Sequence, residues 1–307
     1  MTIRMHAPDS QGSQQVLAAI LRYNLRVFVK PLFYPGVPVS VLRYGLRVMA
    51  TTTLVARDVH RDGLTVGGVP AERYRRTGGG AKDKVVLYFH GGGYCAGSPY
   101  THRSLTTHLA RASGATVLAL DYRVAPEAPY PAAVNDALSA YRALLDEGVS
   151  SDQIIIAGDS AGGGLSLACA LAARNHDLPA AAGLVLLSHW ADITNSERPH
   201  APGETLLTWK GLDLAAQRYA GEQRAEPLAS PLLVDLSGLP PALIITGRDE
   251  ILLADSQRLA SALEDAGGKA DLHVYEGRWH FFPIHAGLLH DADHAIGQMA
   301  AFIDQPR

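Results

Sequence analysis

The stretch Gly158-Asp159-Ser160-Ala161-Gly162 sets a serine between two residues without side chains. It closes the apolar run IIIAG (154–158) and opens a helical pattern over 163–174. A strand that turns sharply into a helix there holds the hydroxyl out at the strand's carboxyl end. The first N–H groups of the helix then favour negative charge developing beside it. Glycines at a turn also serve purely structural ends, so Ser160 must be judged by its partners. A second stretch, His90-Gly91-Gly92-Gly93, follows the apolar run VVLYF. Three successive glycines are entropically costly unless the backbone itself must approach something. In acyl transfer that something is a carbonyl oxygen turning into an oxyanion. The N–H groups of Gly91 and Gly92, with that of Ala161, are the expected donors. The run HGGGYCAG matches neither the G-x-G-x-x-G nor the Walker phosphate loop.

A nucleophilic serine needs a base, and the base needs an orienting acid. The base belongs in the loop after the last apolar run, where YEGRWHFFP supplies His280. His273 falls inside that run, His285 and His290 lie toward the closing helix, and His102 and His108 read as surface or capping residues of an early helix. The acid belongs after the preceding run, where LIITGRDEILLADS offers Asp249 and Glu250, with Asp255 already in a helix. Adjacent carboxylates diverge in direction, so one of the two should reach His280.

These residues hang on a repeating pattern. Apolar runs at 85–90, 116–122, 154–158, 183–188, 242–247 and 271–277 alternate with helical patterns near 101–112, 131–145, 163–174, 255–266 and 286–303. Continuous apolar strands alternating with helices predict an α/β fold, a mainly parallel sheet covered on both faces. Short strands are expected before it, at TLVARDV and ERYRR, with a turn at TGGGAKDK. The long insertion between Ser188 and Pro240 breaks the rhythm and reads as a lid or cap. Near the start, QQVLAAILRYNLRVFVK predicts an amphipathic helix with Arg22, Arg26 and Lys30 as a basic stripe. Such a helix either packs on the body or lies on a membrane surface.

Composition narrows the classes. The 307 residues, 47% apolar and 19% charged, suit an ordinary globular chain with a sizeable core. A net charge of -3 gives no case for nucleic acid. The two cysteines, Cys95 and Cys169, form no disulfide framework and read as packing residues. Neither a metal site nor an organic cofactor is implied. The polar start lacks a secretory pattern, and no apolar stretch is long enough for stable membrane insertion, so a cytoplasmic location is the expectation.

The motifs HGGGYCAGSPYTHR, DYRVAPEAPYPAAVND and GDSAGGGL resemble those of the bacterial hormone-sensitive lipase family, the family IV carboxylesterases of the α/β-hydrolase fold. The resemblance runs from about residue 55 to 305. It implies a mostly parallel eight-stranded sheet over 51–307, with a helical cap built from 1–50 and an insertion near 190–230. Carried over, it makes Ser160 the nucleophile, His280 the base, and Gly91, Gly92 and Ala161 the oxyanion donors, with His90 holding the glycine loop. Asp121, Arg123 and Glu127 become an ion-pair network beneath that loop. Relatives usually carry Asp-Pro-Leu at the acid, and aligning on Leu252 favours Glu250 over Asp249. Where relatives commonly have Pro, this chain has His189, a residue either tuning substrate choice or lying at the surface.

The reaction so implied is hydrolysis of short- to medium-chain esters, with Leu206, Leu207, Trp209 and Tyr219 favouring a small apolar ester substrate. Lactone hydrolases of the monoterpene type need the same triad. Receptors of this lineage have lost the catalytic histidine, and His280 is present here. Relatives often form homodimers through the last strand, which points to DLHVYEG.

Overall fold

Valine, isoleucine and leucine crowd the central runs because those strands are covered on both faces. A computed structural model describes residues 2–78 and 83–305. The middle of the expected TGGGAKDK turn, residues 79–82, lies outside the described residues. The first half of the chain forms β1 (Thr2–His6), α1 (Gly12–Asn24), α2 (Val39–Ala50), β2 (Val59–Val66), β3 (Val69–Arg76), β4 (Val85–Phe89), α3 (Arg103–Ser113), β5 (Thr116–Leu120) and α4 (Ala132–Asp146). The second half forms β6 (Ile154–Asp159), α5 (Ala161–Asn175), β7 (Gly183–Leu187), α6 (Trp209–Tyr219), β8 (Ala242–Gly247), α7 (Leu253–Asp265), β9 (Ala270–Tyr275) and α8 (His290–Asp304).

All strands join one sheet in the order β1-β9-β8-β7-β6-β4-β5-β3-β2. It is parallel throughout except for the antiparallel pairs β2–β3 and β3–β5. Side chains alternate between two apolar layers with the period of a strand. Leu87, Phe89, Ile154 and Ile156 enter one layer, while Val86, Tyr88, Ile155 and Ala157 enter the other. Each fully buried aliphatic side chain contributes roughly 1.5–3 kcal/mol of burial free energy, so the central strands dominate the stability.

The chain leaves β4 toward β5 on one side and places β6 on the other, with Phe89 level with both Leu120 and Gly158. This reversal of strand order leaves a crevice at the carboxyl ends of β4 and β6, where open α/β sheets receive ligands. The glycine loop follows β4, and Ser160 follows β6.

Several sequence expectations are corrected. The sheet has nine strands among the described residues, because Thr2–His6 pairs in parallel with β9. Those first residues therefore lie in the sheet rather than in a cap. The outer edge of the last strand is taken by β1, so the edge expected to pair two copies is not open. At TLVARDV, only Val59 is in a strand; β2 runs on through HRDGLTV instead. The helix expected over 14–30 is in three pieces: α1, a wide helical turn at Leu25–Val29 and a 3-10 turn at Lys30–Phe33. No helix among the described residues is long and apolar enough to cross a membrane.

Candidate active site

Ser160 is held in a backbone conformation that side-chain-bearing residues rarely adopt, φ 51° and ψ -122°. Such a residue costs on the order of 1–3 kcal/mol and persists only where its surroundings over-determine it. Here the Ser160 N–H donates to the Leu187 carbonyl and its own carbonyl accepts from the Trp190 N–H, both at 2.9 Å. The flanking glycines are required by closeness. A Cβ on Gly162 would lie 2.0 Å from the Phe89 carbonyl oxygen, and one on Gly158 would lie 2.3 Å from that of Gly162. The turn is thus wedged between β4 and the start of α5. The serine side chain lines a cavity whose floor also includes Gly92, Gly93 and His280.

His280 Nδ1 lies 2.7 Å from Glu250 Oε2, and both residues are buried. The other carboxylate oxygen, Oε1, accepts from Ser188 Oγ at 2.9 Å, from the Gly247 N–H at 2.8 Å and from Thr246 Oγ1. This many donors fix the carboxylate in place, aimed at the imidazole. Burial pushes the His280 pKa down, but the bond and charge of Glu250, with Glu204 and Asp159 beyond, outweigh it and hold the value above the usual histidine range. The neighbouring Asp249 points away, to Arg22 at 2.8 Å. The ring therefore has Nδ1 engaged by a carboxylate, which leaves Nε2 for proton transfer.

One expected oxyanion donor is corrected. The Gly91 N–H is already taken: it donates to Asp159 Oδ1 at 2.9 Å, with His102 Nε2 at 3.3 Å. The amides of Gly92, Gly93 and Ala161 make no hydrogen bond among the described residues. Asp159 also accepts from the Tyr88 hydroxyl at 2.6 Å and approaches His102 Nε2 at 3.3 Å. Burial alone would raise its pKa, but His102 and Tyr88 overcome that and hold it below the ordinary aspartate value. Asp159 thereby ties the glycine loop to the residue before the serine. His102, expected as a surface or capping residue, stands at the cap position before α3 but is buried and lines the cavity. His108 is buried too, bonded to the Ser104 carbonyl at 2.8 Å.

His90 secures the loop as expected, with Nδ1 2.9 Å from the Gly91 oxygen and its ring stacked on Tyr122 at 4.2 Å. The expected network of Asp121, Arg123 and Glu127 does not form. Arg123 pairs with Asp136 at 2.6 Å, Glu127 pairs with Arg43 of α2 at 2.6 Å, and burial raises the pKa of Asp121. His189 is fully buried behind Gly163 and does not line the cavity; burial pushes its pKa down to about 4. Leu206 and Leu207 line the cavity, whereas Tyr219 stacks on Tyr94 at 3.8 Å and Trp209 bonds the Pro199 carbonyl at 3.4 Å. Leu25, Val29 and Leu42 of the N-terminal segment complete an apolar wall.

Burial pushes the Cys95 and Cys169 thiols up to about 11 and about 12, so both are inert packing residues. Sequence reading missed His102, Asp159 and Ser188. Asp159 and His102 do sit inside the motifs GDSAGGGL and HGGGYCAGSPYTHR. Ser188 had no such marker.

Comparison with known proteins agrees with this fold. A family model described as the alpha/beta hydrolase fold matches residues 86–284. An acetyl-hydrolase of Streptomyces hygroscopicus is 41% identical over 248 residues, covering 79% of this chain and 82% of that protein. An esterase of Acinetobacter venetianus is 36% identical over 224 residues, covering 71% and 74% respectively. A crystal structure of a hormone-sensitive lipase from a metagenome library superposes with a TM-score of 0.88 at 39% identity, covering 96% of this chain and 98% of that one.

Proposed function

The chain belongs to the α/β-hydrolase fold family, as an ester hydrolase of the bacterial hormone-sensitive lipase kind, and on that footing we propose that it cleaves short- to medium-chain carboxylic esters through an acyl-enzyme on Ser160. The observation that carries the reading is the buried pair of His280 Nδ1 and Glu250 Oε2 at 2.7 Å, on the same cavity as a strained serine.

In this reading His280 Nε2 takes the Ser160 proton as Oγ attacks the ester carbonyl. The tetrahedral oxyanion is received by the unpartnered amides of Gly92, Gly93 and Ala161 at the positive end of α5. Gly91 is not a donor, because Asp159 occupies its N–H. His280 then returns the proton to the leaving alcohol, and a water activated by the same imidazole hydrolyses the acyl-enzyme. Glu250 keeps the ring in the productive tautomer and stabilises the imidazolium that forms.

The cavity walls support the substrate class. Residues of the N-terminal segment and of the insertion between β7 and β8 roof the serine as a cap, and their contribution is mostly apolar. The cavity volume is about 170 Å³, close to the roughly 150 Å³ that encloses benzene. A short acyl group fills such a space, and a long one would have to run out of it.

The test is turnover of short-chain p-nitrophenyl esters by wild type and Ser160→Ala. The variant should lose at least about 10⁴-fold in kcat. Turnover that persists without the serine hydroxyl would exclude the acyl-enzyme route.

A further inference from the structure

The basic stripe Arg22, Arg26 and Lys30 has an intramolecular destination. Arg22 Nη2 donates to Asp249 and to the Gly277 carbonyl, both at 2.8 Å, and its guanidinium sits 5.5 Å from the centre of the Trp279 ring. Arg26 donates to the Gly203 carbonyl at 3.2 Å, and Lys30 to the Glu204 carbonyl at 3.3 Å. One turn after another, the N-terminal helical segment grips the loop of the triad acid, the loop of the base, and the segment 203–204 between β7 and α6.

That segment carries a buried carboxylate with three amide donors. Glu204 Oε1 accepts from the N–H groups of Leu206 at 2.5 Å and Leu207 at 2.8 Å. Its Oε2 accepts from the N–H of Ile251 at 2.9 Å, the residue directly after Glu250. Leu206 and Leu207 are cavity wall, so one side chain bonds both the wall and the acid loop. Gly203 packs against the same loop, since a Cβ on it would lie 2.6 Å from the Asp249 Cβ.

We propose that Glu204 is a positioning residue of the reaction, coupling the apolar wall of the substrate cavity to the backbone of Glu250, with Arg22, Arg26 and Lys30 as the outer clasp. The proposal rests on the serine–histidine–glutamate reading above. Its consequence is that a substrate seated against Leu206 and Leu207 bears on the placement of the acid, and through it on His280. Glu204 acts through Glu250 and touches neither the serine nor the reacting carbonyl. The carboxylates whose charge favours the His280 imidazolium are Glu250, which bonds it directly, and Glu204 and Asp159.

A pH–rate series with p-nitrophenyl butyrate on the full chain tests it. Glu204→Gln keeps the size but turns one acceptor oxygen into an NH₂ that faces N–H groups, so at least one of the three bonds is lost. Because misplacement of a catalytic group by about 1 Å costs on the order of 10²-fold, kcat should fall roughly tenfold to a hundredfold, with a smaller change in KM. The acidic limb of kcat/KM should also move to lower pH, since one of three carboxylates favouring the imidazolium has lost its charge. Glu204→Asp keeps the charge but is a methylene short of Ile251. It should lose kcat while its limb stays nearer the wild type, a split that a merely structural role does not produce.

The fraction of serines labelled by a fluorophosphonate corrects each rate for unfolded chain. Glu204→Gln with wild-type kcat and an unmoved limb overturns the proposal. Should that variant not fold, Arg26→Gln removes an exposed grip on the Gly203 carbonyl. It should then lower kcat several-fold at equal labelling, and wild-type kcat there overturns the proposal as well. Turnover or labelling in Ser160→Ala would instead overturn the serine reading, which separates the two failures.

Discussion

The floor and the roof of the cavity are held by different physics. The floor, β6 with the elbow and α5, is buried almost throughout, and its backbone is wedged so that single methyl groups have no room at Gly158 and Gly162. The roof hangs from charged side chains that reach across to backbone carbonyls. Arg22, Arg26 and Lys30 serve one side, and Arg43 reaches the Cys95 oxygen at 2.8 Å and the Ala125 oxygen at 2.9 Å on the other. Its outer surface leaves Val16, Ile20, Tyr23, Phe28 and Tyr44 exposed. Packing of the first kind tolerates no change of volume. Partly exposed hydrogen bonds of the second kind contribute on the order of 1 kcal/mol each and can be exchanged for bonds to water. The nucleophile is therefore set rigidly, while substrate access and the fine placement of the acid are set by weaker, adjustable contacts.

The sharpest way to break this contrast is Gly162→Val in the floor. With a Cβ forced to 2.0 Å from the Phe89 oxygen, the variant should lose more than about 3 kcal/mol of stability, read as a urea midpoint. A folded, active Gly162→Val would mean that the elbow is far softer than its contacts imply. Next comes the acid, where floor and roof meet. Glu250→Ala should lower kcat by roughly 10²–10⁴-fold, whereas Asp249→Ala, which breaks only the Arg22 pair, should change it by no more than about threefold. The reverse order would move the orienting role to Asp249.

Acid pH probes two buried histidines and the half-buried His6. His6, His189 and His285 are each pushed down to about 4 by burial first. The unfolded chain takes up those protons near the ordinary value of about 6.5. The stability they confer is thus complete above that pH and is lost as pH falls from about 6.5 toward 4. Urea midpoints should drop across that window, and a flat profile would contradict the assignment. His280 behaves oppositely. Its pKa is held above the usual range, so the base form and kcat/KM decline as pH falls through a value above about 6.5. The smallest effect belongs to the roof. Arg22→Ala should cost less than about 1 kcal/mol globally yet speed amide hydrogen exchange across α1 and 203–207. Unchanged exchange there would show that the clasp is not what holds the roof.

Much of this molecule is a local property of its chain. The alternation of apolar runs with helical patterns, the serine between glycines and the histidine after the last run depend on neighbours within a few residues. Periodicity and turn chemistry therefore express them directly, and the sheet, Ser160 and His280 were legible. Other decisions depend on residues far apart. Whether Gly91 offers a free N–H depends on Asp159, 68 positions away, and where Asp249 points depends on Arg22, 227 positions away. The same holds for Thr2–His6, which became a strand because the open edge of β9 could satisfy its backbone donors and acceptors. Arg123 and Glu127 found Asp136 and Arg43 rather than each other for want of proximity in space. By itself, the amino-acid sequence determined which elements form and which residue types carry the chemistry. Only the tertiary structure decided which donors and carboxylates remain free for it, because occupancy of a hydrogen-bonding group is settled by whatever the fold brings beside it.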